Sequence, residues 1–410
     1  MKKTKSRSLR ERATSKRGRT SARSNRTLEE VVSDAKKAMT RLKSTLVKRN
    51  AEIDHLFYCL VSREHLMLEG LHGTAKSKLA ESFFSLFDSA VIYKQQFMKG
   101  TQTDEVFGAM NSLKYREEAI WEYNVTGKLP DCDFAFLDEI YRASDMLLPS
   151  MLQILNERKF SNGGVIIDCP LKMAVGTCNF VTDNEELNAF HDRWLVRIEV
   201  NSLKNARDKF TMLNRFLKPP DALDVSFSKS DLELLNEAYK GVVVPDEMID
   251  LYIDLSSNLQ GNLASDWHVS DRRLCKAITL AKAHAVLNGR GEVSPEDLVA
   301  VGAGLVPVVN QNNSDAFTDA YGKVVSDYMN TVEETATYEK VATRAKELYD
   351  QFDEDMDSKS ATALLKSAQE LRTALKNEPS PQLPKSRSIY EEAIKKLDQL
   401  VLDITDLLGI

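Results

Sequence analysis

The sequence predicts an α/β fold in which helices cover both faces of a parallel sheet, followed by an all-α domain and a helical C-terminal extension. In the segment 65–77, a short apolar run enters a loop that opens with Gly70 and then a helical pattern, which is typical of the first strand of such a sheet. Later apolar runs alternate with helical patterns, as parallel sheets require. From about Phe227 the apolar residues recur only at helical spacing, which predicts the all-α part.

The loop after the first predicted strand has the pattern of a phosphate-binding loop. Its predicted nucleotide-binding residues are Gly70, His72, Gly73, Thr74, Ala75, Lys76, Ser77 and Lys78. Backbone N–H groups at a helix N-terminus bind polyphosphate oxygens, while Lys76 reaches the β- and γ-phosphates and the Ser77 hydroxyl ligates Mg²⁺. Ala75 stands where glycine is usual. Because alanine resists positive φ, we expect Ala75 to lie already in the right-handed helix.

A second predicted strand, at 134–139, ends in two carboxylates. Asp138 would hold Mg²⁺ through water, and Glu139 would polarise the attacking water. Thr177 and Asn179 lie at the end of a further buried strand, and ligands of parallel sheets bind beyond the carboxyl ends of the strands. The three segments therefore predict one site that binds ATP and Mg²⁺ and hydrolyses the nucleotide.

The composition is that of an ordinary globular protein, with 42% hydrophobic residues, 28% charged residues and a net charge of −6. The five cysteines stand singly, which predicts reduced thiols and a cytoplasmic location. No apolar run approaches the ~20 residues of a membrane span, so we expect no membrane segment.

Residues 1–27 form a basic segment with eleven Lys and Arg residues before position 27 and a single acid, Glu11. With Leu9 as the only large apolar residue after Met1, we expect this tail to be disordered. Two interpretations stay open. The tail is either a solvated segment, or an arm that contacts nucleic acid or an acidic partner through residues 1–26.

The predicted order of elements gives three folded regions after the tail. The core, 28–220, has helices at 28–50 and 52–60, a strand at 90–93, a hairpin-like pass within 97–130, a helix at 145–157, a hairpin at 160–167 and a strand at 172–179. The all-α lid, 221–314, has helices at 232–239, 247–259, 271–287 and 295–301. The extension, 315–410, has helices at 321–352, 360–376 and 389–408, with a proline-rich linker at 378–384.

Several of these strings resemble the MoxR group of AAA+ ATPases, and most of all its RavA branch, over roughly residues 28–306. The resemblance rests on the Ala75-Lys76-Ser77 loop and on the segments 103–108, 136–143 and 155–160. It implies that Asn179 is sensor 1, near the γ-phosphate. It also implies that Arg193, with Arg197 as the alternative, is the finger that reaches a neighbouring subunit's nucleotide. Arg272, chosen over Arg273, matches sensor 2 at the start of a lid helix.

The resemblance further implies a homo-oligomeric ring, usually a hexamer, and often an adaptor of the von Willebrand A type. A protein-remodelling ring ATPase is the first hypothesis, and a nucleic-acid motor or loader that uses the basic tail is the alternative. The acidic balance of residues beyond the tail argues against the motor. A nucleotide-gated scaffold is a third hypothesis, which the intact Lys76, Asp138 and Glu139 disfavour. The helical extension departs from the β-containing module of the RavA branch.

Overall fold

The computed structural model describes residues 26–144, 146–179, 193–218, 225–262, 269–305, 314–353, 355–377, 381 and 384–409. The predicted basic tail and most of the predicted 378–384 linker lie outside these residues. The chain divides into two compact units, 1–318 and 319–410.

A five-stranded parallel sheet forms the centre of the first unit. The strands are β1 (Leu66–Glu69), β2 (Ile92–Gln96), β3 (Phe134–Asp138), β4 (Lys159–Asn162), β5 (Val165–Asp168), β6 (Met173–Cys178) and β7 (Val196–Glu199). The sheet order is β2-β3-β6-β1-β7, whereas β4 and β5 form a separate antiparallel hairpin. Every residue of β6 is buried, as expected for a strand covered on both faces. The predicted fold class is confirmed.

The helices of the core are interspersed with these strands along the chain. They are α1 (Leu28–Thr45), α2 (Asn50–Ser62), α3 (Lys76–Phe84), α4 (Thr103–Phe107), α5 (Ser112–Glu118), α6 (Leu148–Glu157) and α7 (Ala206–Leu217). The single helix predicted at 28–50 ends earlier, because Leu46 is extended and Lys48 has a φ of 56°. Neither β7 nor α7 was predicted.

The predicted hairpin-like pass within 97–130 contains more helix than expected. The short helices α4 and α5 occupy part of it, and its antiparallel pairing is reduced to the bridge between Met110 and Tyr123. Gly108, with a φ of 103°, permits the close passage of Asn124, whose carbonyl oxygen would lie 1.9 Å from an added Cβ. Glycine is therefore required at this crossing.

The lid helices are α8 (Lys229–Gly241), α9 (Asp246–Asn262), α10 (Asp271–Leu287) and α11 (Gly302–Leu305), with a 3₁₀ segment at Pro295–Val301 where a helix was predicted. They pack against the N-terminal helices rather than forming a separate unit. Tyr58 of α2 meets His284 of α10 edge to face, with ring centroids 5.4 Å apart. Lys276 forms an ion pair with Glu64, at 2.9 Å between Nζ and Oε2.

The second unit consists, in its described part, of helices around a core of their own. The helices are α12 (Ser314–Asp350), which begins in the first unit, α13 (Ser358–Asn377) and α14 (Pro384–Leu408). Leu348, Leu364, Leu397 and Ile404 are among the buried residues of this core. Among the described residues, none of the helices combines the length and the apolar character that a bilayer span requires.

Candidate functional site

The loop between β1 and α3 is shaped by glycines at its start and middle. Gly70 has a φ of 142°, and a Cβ at this position would lie 2.6 Å from the carbonyl oxygen of Val200. Gly73 has a φ of 76°. Both positions favour glycine, the first for close approach and the second for its left-handed backbone. The loop is thereby fixed against the segment that follows β7.

Ala75 does not have the conformation we expected. It is the N-cap of α3 and adopts a left-handed conformation, with a φ of 70° and a ψ of 21°, rather than the right-handed helix. The turn that leads into Lys76 needs this conformation, which costs an L-residue roughly 1–2 kcal/mol. Ala75 is therefore a strained position in the phosphate loop.

Lys76 points back into the loop and is held by oxygens. Its ammonium donates hydrogen bonds to the carbonyl oxygens of Gly70 and Leu71, the latter at 2.9 Å, and to Oδ1 of Asn179 at 3.3 Å. Burial lowers the pKa of Lys76, and the nearby Cys178, Glu139 and Asp138 oppose this shift. The structure thus places a buried cation at the centre of the loop, where a phosphate would meet it.

Thr177, at the end of β6, connects the two acidic residues that follow β3. Its hydroxyl donates to a carboxylate oxygen of Asp138 and accepts a hydrogen bond from the backbone N–H of Glu139 at 3.2 Å. The contact holds Glu139 in a left-handed conformation with a φ of 55°. From the sequence, Thr177 was placed only at a strand end, with no role of its own.

Both carboxylate oxygens of Glu139 are engaged. The side-chain amide of Asn179 donates to Oε1, and Nε of Arg142 lies 3.4 Å from Oε2. Since Asn179 also accepts from Lys76, a single amide connects the cation of the phosphate loop to the carboxylate that would act on water. This arrangement can orient a general base, provided that Glu139 exchanges one contact for a water molecule.

These side chains share one cavity of about 430 Å³. It is lined by His72, Gly73, Thr74, Ala75, Lys76, Ser77, Lys78, Gln96, Asp138, Glu139, Arg142 and Asn179. Gln96 and Arg142 were not among the predicted site residues. Gln96 ends β2, so its place at the carboxyl edge of a strand was the signal available for it.

Arg49 is a further residue at the site that was not predicted from the sequence. It is 8% exposed and immediately precedes α2. Its guanidinium donates to the carbonyl oxygen of Thr74 in the phosphate loop at 3.2 Å and to that of Asn201, beyond β7, at 2.7 Å. Arg49 therefore fastens the loop to the segment that leads out of the sheet.

Arg193 lies at the amino ends of the strands, whereas the phosphate loop lies at their carboxyl ends. It precedes β7, which runs parallel to β1 with Leu66 opposite Val196. The four residues of β1 separate these two ends by roughly 13 Å, which is farther than an arginine side chain can span. The adjacent Trp194 is fully buried and packs where Gly176 has no Cβ, which anchors this position. Arg193 is therefore too far to serve the phosphate loop of its own chain. His191 and Asp192, which precede it, lie outside the described residues.

Arg197, the alternative finger, has a buried side chain. It lies within β7, its side chain is 6% exposed, and its guanidinium is 3.9 Å from the carboxylate of Glu69. Burial raises the pKa of Glu69, and Arg197 opposes this rise. This enclosed position does not favour Arg197 as the finger, and the role stays a prediction.

Arg272, the predicted sensor 2, stands near the start of α10. Its guanidinium donates to Oδ1 of Asn156 at 3.1 Å, near the end of α6. Its neighbour Arg273 donates to the carbonyl oxygens of Trp194 and Leu195, at 2.9 and 2.8 Å. These contacts place the start of α10 beside Arg193, at the amino end of β7. The sensor 2 role of Arg272 stays a prediction.

Comparison with known families agrees with this arrangement. Residues 33–218 match a family model described as the MoxR domain in the MoxR-vWA-beta-propeller ternary systems, and residues 247–303 match an AAA lid domain. The chain belongs to the MoxR family of AAA+ ATPases. The RavA branch stays a prediction.

Three further proteins and one solved structure are similar to this chain. Two uncharacterized proteins of Methanocaldococcus jannaschii are each 30% identical, one over 66% of this chain and 70% of its own length, the other over 64% and 68%. Chaperone MoxR1 of Mycobacterium tuberculosis is 24% identical over 65% of this chain and 72% of its own length. A protein of Cytophaga hutchinsonii, provisionally named an ATPase, superposes with a TM-score of 0.58 over 78% of this chain and 98% of its own, at 16% identity, which shows the fold.

The residues of this MoxR-family site fit the nucleotide and Mg²⁺ that the family implies. The ammonium of Lys76 and the backbone at the start of α3 suit phosphate oxygens. The Ser77 hydroxyl and the Asp138 carboxylate line the same cavity. They are the hard oxygen donors that Mg²⁺ takes together with phosphates and water.

Proposed function

We propose that this protein is a Mg²⁺-dependent ATPase that assembles into a ring, a hexamer as in the family it resembles, and uses hydrolysis to remodel a protein partner. One observation carries the ATPase proposal. Lys76, Asp138, Glu139 and Asn179 line a single cavity, and Asn179 links Lys76 to Glu139 as phosphate binding and water activation require.

The residues divide the chemistry between them. Lys76 would leave the carbonyl oxygens of Gly70 and Leu71 for the phosphates, at little cost, because its ammonium is already desolvated there. Bound Mg²⁺ would neutralise phosphate charge, held by Ser77 and, through water, by Asp138. Glu139 would accept a proton from the attacking water, with Asn179 fixing its orientation.

The finger is proposed to come from a second subunit. Arg193 is half-exposed and precedes β7, at the end of that strand away from its own site, where a head-to-tail ring would place it near a neighbour's nucleotide. Arg272, at the same end, is proposed to assist in trans rather than within its own chain. A finger supplied in trans contributes ~10³ to 10⁵ in rate, so an isolated subunit should be slow.

The proposed partner is a protein of the von Willebrand A type. Support comes from the matched family model, whose description places the MoxR domain in systems with such a protein. The relative from Mycobacterium tuberculosis is named a chaperone, which supports a remodelling role. The Ala75-Lys76-Ser77 loop supports the finer placement in the RavA branch. The nucleic-acid alternative receives no support from these matches.

Phosphate release measured across a dilution series tests the proposal. Turnover per subunit should rise with protein concentration through the assembly range, because each complete site needs two chains. Addition of EDTA, which removes Mg²⁺, should abolish it. Turnover per subunit that stays constant on dilution would contradict a shared site.

Mixed assemblies test the role of Arg193. Arg193→Ala subunits should bind ATP and hydrolyse it slowly, and Lys76→Ala subunits should not bind it. In a mixture, a Lys76→Ala subunit still donates Arg193 to an intact site on its Arg193→Ala neighbour, so activity should partly return. No recovery in mixtures shown to be assembled would refute Arg193 as the finger.

A further inference from the structure

Helix α7 carries its apolar side chains on the outside. Phe210 is 65% exposed, Phe216 74% and Leu217 73%, and none of the residues of α7 is buried. The half-buried positions are instead the polar Asp208, Thr211 and Arg215. A surface helix normally turns its apolar stripe toward the core, so the orientation of α7 is inverted.

The exposed face of α7 is apolar in the middle and basic around it. Its exposed apolar side chains are Phe210, Met212, Leu213, Phe216 and Leu217. Positions 210, 213 and 217 follow helical spacing along one line. Arg207, Lys209 and Lys218 are exposed beside this line, and Asp208 is the one acid in the helix. We call this surface the basic face of α7.

Helix α9 of the lid has an exposed face of the opposite kind. Ile249 and Ile253, one turn apart, are 41% and 48% exposed. Four carboxylates are exposed around them, on Asp246, Glu247, Asp250 and Asp254. The helix contains no Lys or Arg, and it buries its other side through Tyr252 and Leu255. We call this surface the acidic face of α9.

We propose that the basic face of α7 of one subunit docks onto the acidic face of α9 of a second copy of this chain. The apolar side chains of the two helices would form the centre of the contact, and the opposite charges would form its rim. The inference rests on the ring assembly proposed above, and it specifies one of the surfaces that build the ring.

A second copy is favoured over an unrelated protein because each chain carries both halves of the complementary pair. The two faces differ, so their contact is heterologous, and a heterologous contact repeated around an axis closes a ring. Pairing of α7 with α7 would oppose like charges. A two-fold dimer through this face is therefore disfavoured.

Charge reversal on each face tests the proposal in the full-length protein. One variant carries Lys209→Glu and Lys218→Glu, and the other carries Asp250→Lys and Asp254→Lys. All four side chains are exposed, so the fold should persist, which circular dichroism and thermal unfolding verify. Assembly is measured by sedimentation velocity with Mg²⁺ and a non-hydrolysable ATP analogue.

Each variant alone should assemble at least tenfold more weakly than the wild type, because like charges would face each other. An equimolar mixture should recover assembly, since the acidic α7 of one chain meets the basic α9 of the other and the reverse pair is also complementary. Phe210→Ser with Phe216→Ser should weaken assembly without recovery in either mixture. Leu402→Ser, an exposed apolar site in the second unit, is the matched control and should assemble normally.

The outcomes separate this proposal from the one on which it rests. If the wild type fails to assemble, both the ring and the docking surface are refuted. If the wild type and both charge variants assemble equally, only the docking surface is refuted. If the two faces instead met within one chain, assembly would be restored by placing all four charge substitutions in the same chain but not by mixing the two variants. That result would overturn docking between copies.

Discussion

The side-chain amide of Asn179 donates a hydrogen bond to the carboxylate of Glu139 while its oxygen accepts one from Lys76 at 3.3 Å. The carboxylate that would activate water is therefore linked to the cation that would bind phosphate. Movement of Lys76 toward a phosphate removes one of the contacts of Asn179. Nucleotide binding and the orientation of the proposed general base would thus be connected through one side chain.

Asn179→Ala should slow hydrolysis and leave ATP affinity within a few-fold of the wild type. Glu139 would keep its contact with Arg142 and lose the one that orients it toward the cavity. We expect kcat to fall about 10²-fold, the low end of what a positioned general base contributes. Single-turnover phosphate release and titration with a fluorescent nucleotide measure the two quantities. A loss of affinity as large as the loss of kcat would contradict the orienting role.

Arg49→Met should weaken nucleotide binding although Arg49 does not line the cavity. The change leaves the buried carbonyl oxygen of Thr74 without this donor, at a cost of roughly 1–3 kcal/mol for an unsatisfied buried group, and also removes the contact with Asn201. The rise in melting temperature on adding ATP should shrink, which a purely structural loss would not produce. Arg49→Lys should recover part of it.

The control for Arg49 is Arg116→Met, an exposed arginine on α5. It should show the same nucleotide-dependent rise as the wild type. An unchanged rise in Arg49→Met itself, together with a lower melting temperature, would assign Arg49 to stability alone.

Ala75→Gly should be tolerated, because glycine adopts the left-handed conformation of position 75 without a Cβ penalty. The relief of roughly 1–2 kcal/mol is partly offset by the greater freedom of glycine in the unfolded chain. We therefore expect an unfolding free energy equal to the wild type or higher by up to about 1 kcal/mol. Ala75→Val should be clearly destabilised. Urea unfolding checks both, and a marked loss in Ala75→Gly would place Ala75 in a right-handed helix after all.

Residues that belong to a contiguous motif were predicted from the sequence, and residues that depend on long-range contacts were not. The phosphate loop and Asp138-Glu139 were predicted because each is a contiguous string whose residue types follow from local geometry. Arg49 could not be predicted in this way. Its partners Thr74 and Asn201 lie 25 and 152 residues away, and only the folded sheet brings them together. Strand β7 was missed because it is four residues long and contains charged Arg197 and Glu199. The place of Arg272 depends on how the lid packs, which periodicity does not encode.

Stability should fall as the pH drops below about 6.5, in part because of His65. Its Nδ1 accepts the backbone N–H of Ala174 at 2.9 Å, and burial, with the Arg158 guanidinium, holds the pKa of His65 well below that of an exposed imidazole. The unfolded chain takes up a proton near pH 6.5 that the folded chain does not, so protons favour unfolding.

Urea unfolding at pH 7.5 and 5.5 measures this effect. His65→Gln should lose less stability between the two values than the wild type does. The loss should not vanish, because burial also lowers the pKa of His55. His72→Gln, on the exposed loop, is the control and should behave as the wild type. An equal loss of stability in His65→Gln and the wild type would show that the pKa of His65 does not differ between the folded and unfolded states.

The most direct test of the central claim is a paired measurement of ATP binding and phosphate release on Lys76→Ala and Glu139→Gln. Lys76→Ala removes the cation of the loop and should abolish detectable binding. Glu139→Gln is nearly isosteric and should bind ATP like the wild type while hydrolysis falls by about 10² to 10⁴. Equal ATP affinity in Lys76→Ala and the wild type, or normal turnover in Glu139→Gln, would contradict the assignment of this cavity as the ATPase site.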